Sequence, residues 1–155
     1  MSEITVRAAR PGEADELTAL CKRSKAHWGY DADFMRISAN SLTITTQAIE
    51  SGRVLVAEGD ARVPGVAAIA PIADSAKWDL AHMFVDPPWM GRGIGRILFE
   101  AAVGLARTNR AAQLVILSDP FAVDFYRAMG ATRTGDAPSD AVPGRRLPLL
   151  EYEIR

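Results

Sequence analysis

The spacing of apolar side chains changes period several times along the chain, and each change marks an element. ITVRAA (4–9) alternates like a strand. Pro11 then stands where a first helical turn tolerates proline, and Ala14, Leu17, Leu20 and Cys21 recur at helical spacing. After HWGY (27–30), DADFMRIS predicts a second short helix with Phe34 and Ile37 on one side, and TTQAIES a further helical turn. From Arg53 the period is strand-like. RVLVAE and VPGVAAIAPI flank Gly59-Asp60 as a hairpin would, and WDLAHMFV (78–85) adds another strand. The helical period returns from Gly93 to about Arg107, with Ile94, Ile97, Leu98, Ala101, Ala102 and Leu105 inside and Arg96, Glu100 and Arg107 in water. QLVILS (113–118) is a short strand rich in branched side chains. Asp119-Pro120 supplies an N-cap and first-turn proline, and Gly130 closes the next helix at Met129. ATRTG and LLEYEI predict the last two strands, separated by the polar loop PSDAVPGRRLP.

An antiparallel hairpin beside βαβ units implies an α/β fold, a mixed sheet with helices on its faces. At 155 residues, without internal repeat or linker, 1–155 reads as one domain. Hydrophobic residues at 48% and charged residues at 24% fit a soluble globular protein, and no run is long enough to predict a transmembrane helix. A net charge of −1 gives no global attraction to nucleic acid or membrane. The lone cysteine, Cys21, excludes an internal disulfide framework and sits among helical apolar positions. The N-terminal residues lack the basic-then-apolar order of a secretion signal, so the expected location is cytoplasmic.

The richest chemistry lies in VDPPWMGRGIG (85–95), between a strand and an amphipathic helix. Gly91, Gly93 and Gly95 leave backbone N–H groups uncovered, and the following helix N-terminus adds partial positive charge, so the segment is a phosphate cradle. Against a dinucleotide site, Leu98 occupies the third glycine place and DPPWM separates strand from glycines. Against a mononucleotide P-loop, no Lys-Ser/Thr pair follows the glycines.

Val85-Asp86-Pro87 and Arg92-Gly93-Ile94-Gly95 instead resemble the pyrophosphate motif of the GNAT superfamily of acyl-CoA-dependent N-acyltransferases, with Met90 standing where Gln or Arg is usual. SDPFAVDFYRAMGA (118–131) resembles a second family segment: Asp119 takes an Asn place, while Ala122, Phe125-Tyr126 and Gly130-Ala131 match. The element order is similar over essentially the whole chain. The resemblance implies a GNAT fold, with about six to seven mostly antiparallel strands, about four helices, and splayed fourth and fifth strands. Acetyl-CoA is the implied cosubstrate, with no metal. Met83, Phe84 and Val85 would line its pantetheine arm, and Met90, Gly91, Arg92, Gly93, Ile94, Gly95 and Arg96 its pyrophosphate. Asp119, Ala122, Phe125 and Tyr126 complete the implied cofactor wall.

Acyl transfer to an amine requires a neutral amine, a polarised thioester and a protonated leaving thiolate. Tyr126 is the implied general acid. Asp79 and His82 are both candidate bases, with a water chain as alternative; strict alternation places them on opposite faces unless a bulge intervenes. His27, Trp28 and Tyr30 form either an acceptor wall or a staple between helices. Of the two loop arginines, Arg145 and Arg146, one could pair with a substrate carboxylate. The expected function is direct transfer from acetyl-CoA to a primary amine of a small molecule. The alternatives are a protein or peptide N-acetyltransferase and a non-catalytic acyl-CoA-binding module. A homodimer is a family-level expectation.

Overall fold

The computed structural model describes residues 3–155. Its strands are β1 (Thr5–Ala8), β2 (Val54–Gly59), β3 (Arg62–Pro71), β4 (Lys77–Val85), β5 (Gln113–Leu117), β6 (Thr132–Pro138) and β7 (Arg146–Glu153). Its α-helices are α1 (Ala14–Ala26), α2 (Ala32–Leu42), α3 (Thr46–Glu50), α4 (Ile94–Thr108) and α5 (Val123–Ala128). The seven strands form one sheet in the order β1-β2-β3-β4-β5-β7-β6. Every neighbouring pair is antiparallel except β4–β5, so the fold is the mixed, mostly antiparallel α/β sheet expected.

Two apolar layers cover the sheet, one on each face. On one, α1, α2 and α3 bring Leu17, Leu20, Cys21, Leu42 and Ile49 against Val54, Val56 and Val66. Burial pushes the Cys21 thiol up to about 12, which makes it an inert core residue. On the other face α4 packs Ile94, Leu98, Phe99 and Ala102 onto Ala57, Ala67 and Ile69. The contact stripe of α4 is rotated from the expected one. Phe99, Val103 and Ala106 are buried, while Ile97, Ala101 and Leu105 lie at its flanks. Similarly, α2 turns Ser38 and Leu42 inward and leaves Ile37 exposed. Periodicity gives the width of an apolar stripe, but the neighbouring elements choose which part of it they cover.

The β2–β3 turn also differs by one residue from the expected one. Its positive-φ positions are Asp60 and Ala61, as a primed hairpin turn requires. Gly59 remains in β2, where an added Cβ would lie 2.5 Å from Ile4 Cδ1. This glycine answers a close approach by the Ile4 side chain, just before β1, rather than a turn. Both last strands are longer than predicted, because β6 and β7 pair as far as Pro138↔Arg146. The loop between them shrinks to 139–145.

Two irregularities position the site. Pairing of β4 with β5 stops at Asp79↔Val115, although β4 runs to Val85 and β5 to Leu117, so the strands splay as expected. Opposite β3, a register shift between Ala68 and Ile69 marks a bulge in β4 at Ala81. His82 therefore pairs with Ala68 and Asp79 with Ala70. Those partners are two residues apart on β3, so Asp79 and His82 share one face of the sheet.

Candidate active site

The splay opens a cleft of about 1230 Å³ that runs from the glycine turn to the 139–145 loop. At one end, Asp86, Pro87 and Trp89 close a 3₁₀ turn before Gly91. Gly91 (φ 78°) and Gly93 (φ 81°) both take left-handed conformations, and an added Cβ at either would meet no atom within 4 Å. The first bond into α4 is from Ile97 N–H to Gly93 C=O at 3.2 Å. No protein acceptor among the described residues takes the N–H groups of Gly91 to Arg96. A run of unsatisfied donors at a helix N-terminus, open to a cleft, fits a pyrophosphate.

Gly95 has a second role. A Cβ there would lie 3.1 Å from the Phe125 ring, so its absence lets α5 approach α4. Met90, Gly91, Gly93, Ile94, Gly95 and Arg96 all line the cleft. Arg92 is exposed outside this lining, with its guanidinium 5.1 Å from the Trp89 ring centroid. Met83, Phe84 and Val85 line the middle of the cleft along the β4 edge that β5 leaves unpaired.

Tyr126, only 7% exposed, reaches the same cleft from α5 beside Ala122 and Phe125. Burial, and secondarily the charge of Asp119, raise its pKa, so the phenol stays protonated at neutral pH. Asp79 also faces the cleft. Burial pushes its carboxyl up to about 6, and the neighbouring charge of Asp140 adds to the rise. His82 is different. It lies outside the cleft lining beneath the C-terminal end of α2, and among the described residues neither ring nitrogen has a hydrogen-bond partner. Burial lowers its pKa, with partial offset from the Ser41 and Thr43 backbone. These carbonyls influence the ring without meeting hydrogen-bond geometry. The bulge thus puts both candidate bases on one face, but only Asp79 is open to the cleft.

At the far end stands a charged and aromatic cluster. Asp119 caps the 3₁₀ turn Pro120–Ala122 by accepting from Phe121 N–H at 2.9 Å. It also accepts from Lys25 Nζ at 2.5 Å and from the Tyr30 hydroxyl at 2.8 Å. Burial alone would raise the Asp119 pKa, but these donors outweigh it and the net shift is downward. Arg145 donates to the Tyr30 oxygen at 2.8 Å. Tyr30 stacks on Phe34 with centroids 4.0 Å apart, and Trp28 stacks on Phe121 at 5.1 Å. Of HWGY, Trp28 lines the cleft, while Tyr30 lies outside the lining and ties α2 to the Asp119 turn.

Two residues predicted for the acceptor site lie elsewhere. His27 is exposed at the C-terminal end of α1, edge-on to Trp28. Arg146 starts β7 and pairs in the open with Asp136 of β6. Sequence reading did not find Lys25, Phe34, Phe121 or Asp140 in this region. A lysine in a last helical turn and an aspartate in a polar loop carry no distinctive signal, and the Lys25–Asp119 pair spans 94 positions.

A family model described as the acetyltransferase (GNAT) domain matches residues 50–130. The chain belongs to the GNAT acetyltransferase family. No curated protein matches it in sequence. Among solved structures, it resembles the PaiA N-acetyltransferase from Thermoplasma acidophilum in complex with coenzyme A. That match has TM-score 0.75, 14% identity, and covers 97% of this chain and 99% of the other. A GCN5-related N-acetyltransferase from Rhodopseudomonas palustris gives TM-score 0.77 at 20% identity, over 99% and 97% of the two chains. YncA from Salmonella typhimurium, with its cofactor acetyl-CoA, gives 0.73 at 22%, over 99% and 95%. At these identities the likeness is one of fold. The GNAT family and fold, with coenzyme-bound neighbours, support acyl transfer.

Proposed function

We propose that this GNAT protein, as a single domain, transfers an acetyl group from acetyl-CoA directly to a primary amine of a small molecule. One observation carries the reading: the β4–β5 splay joins an unsatisfied N–H cradle at one end to Tyr126 and Asp79 in the same cleft. In this reading Gly91 to Arg96 hold the pyrophosphate through backbone donors, so Met90 in place of a polar side chain leaves the main interaction intact. Met83, Phe84 and Val85 flank the pantetheine arm, with Asp119, Ala122 and Phe125 on the opposite wall.

The thioester supplies the acetyl group. Asp79, with its carboxyl raised to about 6, takes the proton that the amine must lose, directly or through one water. As the amine nitrogen bonds to the acetyl carbon and the carbon–sulfur bond breaks, Tyr126, which burial keeps protonated, gives its proton to the departing thiolate sulfur. Holding donor and acceptor together supplies much of the rate, so no covalent enzyme intermediate is required. Trp28, Phe121 and residues of the 139–145 loop line the acceptor end, and a small amine is the acceptor this reading places there.

The test is CoA release from acetyl-CoA across amino acids, polyamines, aminoglycosides and peptide N-termini. Turnover with small amines is expected. Coenzyme binding without turnover on any amine would favour a sensing module, and preference for peptides would favour a protein acetyltransferase.

A further inference from the structure

We propose that Arg145 anchors the carboxylate of the acceptor, so that the substrate is an amino acid or a similar amine bearing a carboxylate. This rests on the acyl-transfer reading above. Arg145 and Arg146 are neighbours in sequence with opposite situations. Arg146 has its carboxylate partner, Asp136. Arg145 lines the cleft and forms no ion pair with any described residue.

Its position is nonetheless fixed. The guanidinium lies 5.1 Å from the Tyr30 ring centroid and 4.8 Å from that of Phe34, and one nitrogen donates to the Tyr30 hydroxyl. Its backbone is held as well: Ser139 N–H donates to Arg145 C=O at 2.7 Å, and Arg145 N–H to Val142 C=O at 3.2 Å. Ser139 Oγ in turn accepts from Ala141 N–H and Val142 N–H. The nearby carboxylate of Asp119 is already committed to Lys25, Tyr30 and the Phe121 N–H.

A guanidinium set over aromatic rings, half-buried and without a salt-bridge partner among the described residues, retains donors in a fork that matches a carboxylate. The same loop carries Asp140 into the cleft near Asp79. The acceptor end therefore offers a cation for a carboxylate and acids for an ammonium, a pattern complementary to a zwitterion. Trp28 and Phe121, 39% and 57% exposed, form an apolar surface at the mouth against which an amino-acid side chain can rest.

The experiment compares kcat/KM for L-amino acids with that for their amides and decarboxylated amines, in the wild-type protein and in Arg145→Met and Arg145→Lys. Coenzyme A affinity of each variant is measured by calorimetry. The expected result is a preference for the acid over its amide on the order of 10- to 100-fold, carried mainly by KM. That preference should disappear in Arg145→Met and survive in part in Arg145→Lys, with coenzyme affinity retained in both. Equal activity on acids and amides in the wild type would overturn the proposal. So would a loss of coenzyme affinity in Arg145→Met, which would assign the arginine to a donor phosphate instead. Failure of the wild type to bind coenzyme at all would overturn the acyl-transfer reading itself.

Discussion

Two side chains carry most of the proposed chemistry, and each has a distinct signature. Replacing Tyr126 with Phe removes a proton donor but leaves the packing against Phe99 and Phe125 in place. The expected result is a kcat lowered about 100-fold, with a smaller effect on KM for acetyl-CoA; unchanged turnover across pH would exclude Tyr126 as the acid. Burial raises the Asp79 carboxyl to about 6, so kcat/KM should fall with a one-proton limb below that pH, and Asp79→Asn should lower the rate strongly and leave the residual rate without that limb. The same shift sets a stability effect. The folded pKa lies above the unfolded value of 3.8, so the protonated form is the one folding favours, and that contribution is lost as pH rises through about 6. Asp79→Asn should therefore stabilise the fold at pH 7 by about 1–2 kcal/mol, allowing for solvent screening of a partly exposed group. Below about pH 4 the gain should vanish. Denaturant melts at both pH values check the sign.

Secondary elements place those side chains, and here the close approaches decide. Gly65 of β3 lies under α4, where an added Cβ would stand 2.6 Å from Leu98 Cδ1 and 3.2 Å from Phe84 C=O. Gly65→Ala should cost about 1–3 kcal/mol through overpacking, and should weaken coenzyme binding by displacing the N-terminus that forms the cradle. Equal coenzyme affinity in a destabilised Gly65→Ala would show that the cradle tolerates movement of α4. Much at this scale was legible beforehand. Pro11, Pro120 and Gly130 punctuate the chain where they were expected to, because backbone restriction at proline and glycine acts locally. A bulge in β4 was anticipated as a possibility, but its place at Ala81 was not legible. An extra residue in a strand shows only against the register of its partner, and Ala68 and Ile69 are on another strand.

Across the whole molecule, the cleft divides the sheet into β1–β4 and β5–β7, joined by three registered pairs between β4 and β5. A ligand lying in the splay would touch both parts and favour the folded state. Coenzyme A at about 100 times its Kd should therefore stabilise the protein by about 2.7 kcal/mol. For a chain of this size that corresponds to roughly 5–10 °C in Tm. Scanning calorimetry with and without coenzyme A tests this, and an unmoved transition at millimolar ligand would contradict the cradle. At this scale Lys77–Glu151 and Arg23–Asp86 also link distant segments, but both are partly exposed pairs and contribute little.

By itself the sequence determined the element order, the α/β class, the glycine turn ahead of α4 and the short helix that carries Tyr126, because each rests on local backbone preference or short spacing. It also supplied the resemblance that the family match then established. Tertiary structure alone decided which of the candidates meet. It separated Arg145 from Arg146, sent His27 outward, and opened Asp79 rather than His82 to the cleft. It also brought Lys25 to Asp119 and Tyr30 to Arg145, 115 positions away. The reason is physical: a turn or helix start depends on neighbours in the chain, whereas the partner of a charge depends on how the sheet brings its ends together.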